Sequence, residues 1–204
     1  MFFVKPSWIF RYIFPKIIWK KETPSKEIWL TFDDGPEPEV TSWILSTLNE
    51  LQVKATFFLI GKNIVKFPAL IKSIKRNKHV IGNHSFSHKN GWLTKHDAYI
   101  KDIKRCQQLM RDNNLFRPPY GKISLRQQNS INKQYKIILW DILSMDFKEN
   151  IPKEKIIDNV LENVEPGSII VFHNNLKSFA NLKLTLKEII LEFKKNGFVF
   201  STTW

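Results

Sequence analysis

One cysteine, Cys106, is present in 204 residues. No intramolecular disulfide framework can form, and no cysteine-rich zinc site either, so any metal must be held by histidine and carboxylate. No run approaches the roughly 18 apolar residues needed to cross a bilayer. No internal repeat, low-complexity segment or linker divides the chain. Acidic residues are in short supply: 19 Asp and Glu stand against 32 Lys and Arg, for a net charge of +13. That balance suits nucleic acid, an anionic membrane face or an acidic polymer. The lysines are dispersed, however, and no helix-turn-helix, zinc-finger or RNA-binding signature is present. No nucleic-acid partner is expected, and the charge reads as a solvated surface.

What is present is a folded composition, 43% apolar and 13% aromatic, long enough for one domain with a full core. The start, Met1 to Lys16, resembles a signal segment only superficially. Lys5, Arg11 and Lys16 interrupt it, and no small-residue cleavage site follows. Residues 1–26 therefore read as an aromatic and basic extension packed on a single domain at 27–204. A peripheral membrane contact is the other use of such a stretch. A cytoplasmic or membrane-peripheral monomer is expected.

Seven strand-like runs can be traced: Glu27–Phe32, Lys54–Ile60, His79–Asn83, Leu115–Arg117, Lys136–Asp141, Ser168–Phe172 and Phe198–Ser201. Helical spacing of apolar residues predicts helices over about Val40–Leu51, Pro68–Asn77, Lys95–Asn113, Ser124–Lys133, Pro152–Val164 and Leu182–Asn196. Strand-helix alternation argues an α/β parallel sheet with helices outside, open or closed into a barrel. In both architectures function gathers at the C-terminal strand ends.

The polar residues of chemical interest fall at those ends. Strand one closes with Asp33-Asp34, and two acids at a buried end need a cation or proton between them. His84 and His88 stand at i, i+4, a spacing that converges two imidazoles from a helical turn or a tight loop. With a carboxylate from strand one they make a two-nitrogen, one-oxygen set that leaves a position open for water, as catalytic zinc sites do. Zinc brings the pKa of such a water to about 7. One of the two aspartates binds metal and the other serves as base. Arg117 can hold that base ionised and orient it by a bidentate pair. His173 is a candidate acid, with Asp146 on its other ring nitrogen.

Thr31–Gly35, His84–His88, Arg117–Tyr120, Ser144–Phe147 and Val171–His173 together resemble, in order and spacing, the five motifs of the NodB-type polysaccharide deacetylases. The resemblance runs from about Glu27 to the C-terminus. It implies a distorted (β/α) barrel of about seven parallel strands and hydrolysis of N- or O-acetyl groups on a glycan such as peptidoglycan or a chitin-like oligosaccharide. By motif position Asp34, His84 and His88 are the implied ligands of one divalent ion, Zn²⁺ or Co²⁺. Asp33 is the implied base, Arg117 its orienter, His173 the acid, Asp146 its tuning partner and the Tyr120 N–H an oxyanion donor. Pro119, Tyr120, Trp92 and Phe147 are the substrate-facing candidates. Phe147 stands where the family commonly has Trp, Val171 replaces the usual Leu, and Asn174-Asn175 follow His173 where an acid is common. The competing expectations are a non-catalytic glycan-binding module and an amidohydrolase for a non-glycan amide.

Overall fold

The computed structural model describes residues 4–111 and 114–204. In chain order the elements are α1 (Trp8–Ile13), β1 (Ile17–Ile18), β2 (Glu27–Asp33), α2 (Pro38–Glu50), β3 (Thr56–Leu59), α3 (Gly61–Lys66), α4 (Pro68–Arg76), β4 (Val80–Asn83), α5 (His96–Gln107), β5 (Leu115–Phe116), α6 (Leu125–Ile131), β6 (Lys136–Ile138), β7 (Ile142–Leu143), α7 (Lys153–Leu161), β8 (Ile169–His173), α8 (Leu176–Lys195) and β9 (Val199–Phe200). The strand order is β1-β6-β5-β4-β3-β2-β8-β7, with β9 beside the start of β2. Every recorded pairing is parallel. The result is a distorted (β/α) barrel wrapped by helices.

β2 is the axis of this sheet. Period-two alternation sends Ile28, Leu30 and Phe32 outward into the largest apolar cluster, against α2 and α8. Trp29 points the other way, into a smaller cluster with Phe58, Leu115, Ile138 and Ile169. Thr31 and Asp33 share that inward face. Both faces are covered, which is why the run lacks the polar alternation of a half-exposed strand. The register with β8 sets Asp33 opposite His173, so two groups 140 positions apart in sequence reach the rim at one level.

Among the described residues nine strands replace the seven read from sequence. β1 and β7 are two residues each, too short for periodicity to reveal. The strand expected over Lys136–Asp141 stops at Ile138. Its next carbonyls are diverted, because Arg117 donates Nε–H to Ile138 O at 3.4 Å and an Nη2–H to Leu139 O at 3.1 Å. The helix expected over Lys95–Asn113 ends at Gln107, and the Asp112 and Asn113 part of that expectation lies outside the described residues. α8 begins at Leu176, six residues before the expected Leu182, because Asn175 caps it by accepting the Ser178 N–H at 3.0 Å. α1 and α3 were not foreseen.

The N-terminal segment divides. Ile17 and Ile18 pair with Ile137 and Ile138, and Phe14 and Trp19 pack on a barrel cluster. The residues of α1, in contrast, are all unburied.

Candidate active site

Asp33 and Arg117 form the inner wall of the rim. Arg117 is fully buried and donates from Nη1 to Asp33 Oδ1 and to Thr31 Oγ1, both at 2.7 Å. Its other N–H groups go to the Ile138 and Leu139 carbonyls, and its guanidinium lies 4.1 Å from the Phe58 ring centre. Burial lowers the guanidinium's pKa, and the Asp33 charge opposes that shift. The pair is not bidentate as expected: one N–H reaches Asp33, because the fork is shared with Thr31 and two carbonyls. Arg117 therefore holds Oδ1 and leaves Oδ2 to accept a proton. Thr31, part of the first motif but given no role by the sequence, donates onward to Ile170 O at 2.7 Å and locks the fork in place.

Asp34 is thrown onto the same rim by its backbone. Adjacent side chains of a strand point apart, but Asp34 has φ 78°, which ends the alternation. Eight non-glycine residues have positive φ among those described, and Asp34, Ser85, His88, Tyr120 and Met145 all lie at or beside the predicted motifs. Such conformations cost of order 1–3 kcal/mol each and gather where function over-determines the backbone. A Cβ on Gly35 would stand 2.1 Å from Asn174 Nδ2, so a larger residue in the turn after the two acids would have to displace the Asn174 side chain.

His84 to His88 is a tight loop rather than a helical turn. Asn83 Oδ1 accepts the Ser85 N–H at 2.8 Å, and Asp102 Oδ2 accepts those of Phe86 and Ser87, each at 2.9 Å. Gly61 and Lys62 donate N–H to Ser85 O and Phe86 O. Side chains and a neighbouring helix start thus replace the helical ladder, and His84 and His88 converge.

The donor set fits a divalent cation. One ligand atom each from Asp34, His84 and His88 lie within 4.8 Å of one another. His84 Nδ1 is 2.8 Å from Arg117 O, and a carbonyl only accepts, so that nitrogen carries the hydrogen. With Nδ1 committed to that carbonyl, His84 Nε2 faces Asp34 Oδ1 at 3.6 Å, too far for a hydrogen bond. Positive charge between the two atoms, a proton or a divalent cation, is what lets them face each other. His88 Nε2 stands 3.1 Å from the same oxygen. Burial raises the Asp34 pKa, but the facing imidazoles of His84 and His88, with the His173 charge, outweigh it and hold the carboxyl well below its ordinary range. Asn175, which the sequence marks only as a departure after His173, donates Nδ2–H to Asp34 Oδ2 at 2.7 Å and fixes which oxygen turns to the histidines. Its signal was its place as the polar residue just before a helix.

His173 completes the rim. Asp146 Oδ1 lies 2.7 Å from His173 Nδ1, and Asp146 Oδ2 accepts the His173 backbone N–H, also at 2.7 Å. Ser144 Oγ donates to Asp146 at 3.0 Å, and Asn181 Nδ2 donates to the Asp146 carbonyl at 2.7 Å. Burial alone lowers the imidazole pKa. The charge and hydrogen bond of Asp146, with Asp34 and Asp33 behind it, outweigh burial and raise it to about 9. With Nδ1 committed, Nε2 is the nitrogen left to pass a proton.

The substrate-facing candidates are less uniform. The Tyr120 ring is 48% exposed and its centre is 4.6 Å from that of His88. The Phe147 ring meets His173 edge-on at 4.9 Å. Trp92 is exposed, its indole donating to Ile123 O at 3.2 Å, and it shares a cavity of about 420 Å³ with Tyr120, Trp140 and Leu143. Pro119 is buried in a 3-10 turn, where it shapes the Tyr120 backbone rather than offering a face to a ligand. Asp141, the last residue of the strand expected over Lys136–Asp141, lies away from this rim, at the other end of β8. It accepts from the Ile169 N–H at 2.7 Å and from Ser168 Oγ at 2.9 Å, where β8 starts.

Residues 20–136 match the family model described as polysaccharide deacetylase. A peptidoglycan-N-acetylglucosamine deacetylase of Bacillus cereus is 37% identical over 183 residues, covering 86% of this chain and 66% of that protein. A chitooligosaccharide deacetylase of Azorhizobium caulinodans is 33% identical over 157 residues, covering 72% of this chain and 73% of that one. The crystal structure of the Bc1960 peptidoglycan N-acetylglucosamine deacetylase superposes with a TM-score of 0.88 at 34% identity, over 94% of this chain and 93% of that one.

Proposed function

The chain belongs to the polysaccharide deacetylase family, and from that premise we propose that it hydrolyses the N-acetyl groups of N-acetylglucosamine residues in a peptidoglycan-type glycan. The observation that carries the reading is the joining, on one rim, of an oriented carboxylate (Asp33 on Arg117), a cation-binding triad (Asp34, His84, His88) and an imidazole charged by a carboxylate (His173 on Asp146). Base, Lewis-acid site and acid are the three groups that amide hydrolysis needs.

A divalent cation, which we take to be Zn²⁺ from the two-imidazole, one-carboxylate set, polarises the acetyl carbonyl and acidifies water when bound. Asp33 takes the proton of the attacking water through Oδ2, while Arg117 holds Oδ1. The Tyr120 N–H donates to the oxygen that becomes negative in the tetrahedral intermediate. His173 gives its Nε2 proton to the sugar nitrogen as the carbon–nitrogen bond breaks, and Asp146 bears the charge on the ring until then. Acetate and a free amine leave. Phe147 closes one side of the acetyl pocket with an apolar edge where an indole would add a donor.

The test is acetate release from N-acetylglucosamine oligomers and from peptidoglycan, with metal-free protein titrated by Zn²⁺ and Co²⁺. Release that requires metal and disappears in His84→Ala is expected. Retention of activity in Asp33→Asn would remove the base assignment. Metal binding without release from either glycan would move the substrate to acetyl esters or non-glycan amides.

A further inference from the structure

The surface of α1 has no role in the site above, yet it is the most apolar stretch exposed among the described residues. Trp8, Ile9, Phe10, Tyr12 and Ile13 are 75, 45, 38, 81 and 42% exposed, five of six helix residues. Elsewhere among the described residues, exposed large apolar side chains are isolated along the chain, apart from the neighbours Trp92 and Leu93 and the cavity that Trp92 shares with Tyr120. A contiguous exposed patch of this kind marks an interaction site.

Its charge is one-sided. Residues 4–21 carry Lys5, Arg11, Lys16, Lys20 and Lys21 and no acid. Lys5 and Lys20 are paired with Glu165. Arg11 and Lys16 join no ion pair among the described residues and flank the apolar side chains. The segment is also held firmly. The Leu143 N–H donates to Val4 O at 2.9 Å, the Lys21 N–H donates to Gly167 O at 2.9 Å, and β1 lies in the sheet. Phe10 and Phe14 wall the same cavity as Tyr120, the residue that packs on His88, so α1 sits beside the metal-site rim.

We propose that α1 and its flanking cations dock the protein on an anionic lipid bilayer, the aromatic and aliphatic side chains entering the interface and Arg11 and Lys16 facing lipid phosphates. Large apolar side chains beside cations suit that boundary. A second copy of the chain would bring another net charge of +13 against a patch that is itself basic, which opposes self-association. Ile9 and Ile13 would add nothing to phosphate binding on a nucleic acid. Docked this way, the rim meets glycan close to the membrane surface. Only that last step rests on the deacetylase reading.

The test is co-sedimentation of the full chain with vesicles of phosphatidylcholine alone and of phosphatidylcholine and phosphatidylglycerol in equal parts. Binding to the anionic vesicles only is expected, falling as salt rises. Arg11→Gln with Lys16→Gln should weaken it roughly 30-fold. Trp8→Ser with Ile9→Ser should weaken it about tenfold or more. Both pairs should leave thermal unfolding and acetate release from soluble oligomers unchanged, since Trp8, Ile9 and Lys16 are exposed and Arg11 is half-buried and joins no ion pair among the described residues. Absence of binding at low salt, equal binding to neutral vesicles, or binding unchanged by either pair would each overturn the proposal. So would a concentration-dependent dimer that Trp8→Ser with Ile9→Ser makes monomeric. None of these readouts depends on what the active site hydrolyses.

Discussion

Two aspartates flank β7, five positions apart, and both are fully buried. Asp141 lies just before the strand and Asp146 just beyond it. Each accepts one serine hydroxyl and one backbone N–H. Only Asp146 also meets an imidazole. Among the described residues Asp141 joins no ion pair, and burial, partly opposed by the Ser168 and Ile169 hydrogen bonds and by the Lys5 and Lys20 charges, raises its pKa to about 6. At the Asp146 end the same kind of carboxylate stabilises a charged His173. Burial alone thus makes a carboxylate a staple for a strand start. Burial beside a partner that gains a proton makes it part of a proton-transfer device.

The strongest test of that contrast bears on the rim itself. Asp33→Asn should lower the rate of acetate release about 10²–10⁴-fold, the usual worth of a positioned base. Metal binding should change little, while the melting temperature should fall, because the fully buried Arg117 guanidinium loses its counter-charge. An equally large loss in Asp141→Asn would erase the distinction between the two ends.

Asp146→Asn should lower the rate by about 10–100-fold, in the range seen for partners that orient a working histidine. The pH profile separates this from simple misfolding. His173 acts as an acid only while protonated, so activity should fall as pH rises through about 9, and Asp146→Asn should move that limb down. A cation bound at Asp34 repels the imidazolium and moves it the same way, so the two proteins should be compared at equal metal loading. An unmoved limb would detach Asp146 from the acid.

At the other end the readout is stability. The Asp141 pKa is raised on folding, from 3.8 to about 6, so the folded state binds the extra proton. Its contribution is fully present below the unfolded pKa and is lost as pH rises through the folded one. Replacement by Asn removes that dependence. The melting-temperature deficit of Asp141→Asn should therefore shrink between about pH 4 and pH 7, by an amount equivalent to at most about 3 kcal/mol. A deficit that grows over that range would show that the ionised form is the one the fold prefers.

The smallest effect expected is at Trp92. Trp92→Ala should raise KM for long oligomers about 3–10-fold, the worth of one aromatic face, with kcat unchanged. Equal effects on short and long oligomers would place Trp92 nearer the reacting sugar than the cavity suggests.

Much of the site could be read in advance because its chemistry is local. Asp33-Asp34, the His84–His88 spacing and His173 sit at ends of strands that announce themselves by buried, β-branched and aromatic runs. What escaped reading depends on partners far along the chain. Thr31 looks like any strand threonine until Arg117, 86 positions away, reaches it. Asn175 looks like a helix cap until Asp34 turns toward it. The one-pronged Arg117 contact could not be foreseen either, since the carbonyls that share the fork come from a strand whose end was misplaced.

The sequence by itself determined the strand-helix alternation, the absence of cysteine chemistry and the cluster of acids and histidines at strand ends, because side-chain periodicity and ligand type are properties of neighbouring residues. Only the tertiary structure decided which oxygen faces which nitrogen, which of two buried aspartates meets an imidazole, and that the aromatics of α1 lie outside while Phe14 and Trp19 pack within. Those outcomes depend on register and on left-handed backbone at non-glycine residues such as Asp34, His88 and Tyr120. Surrounding structure forces such conformations, and local propensity opposes them.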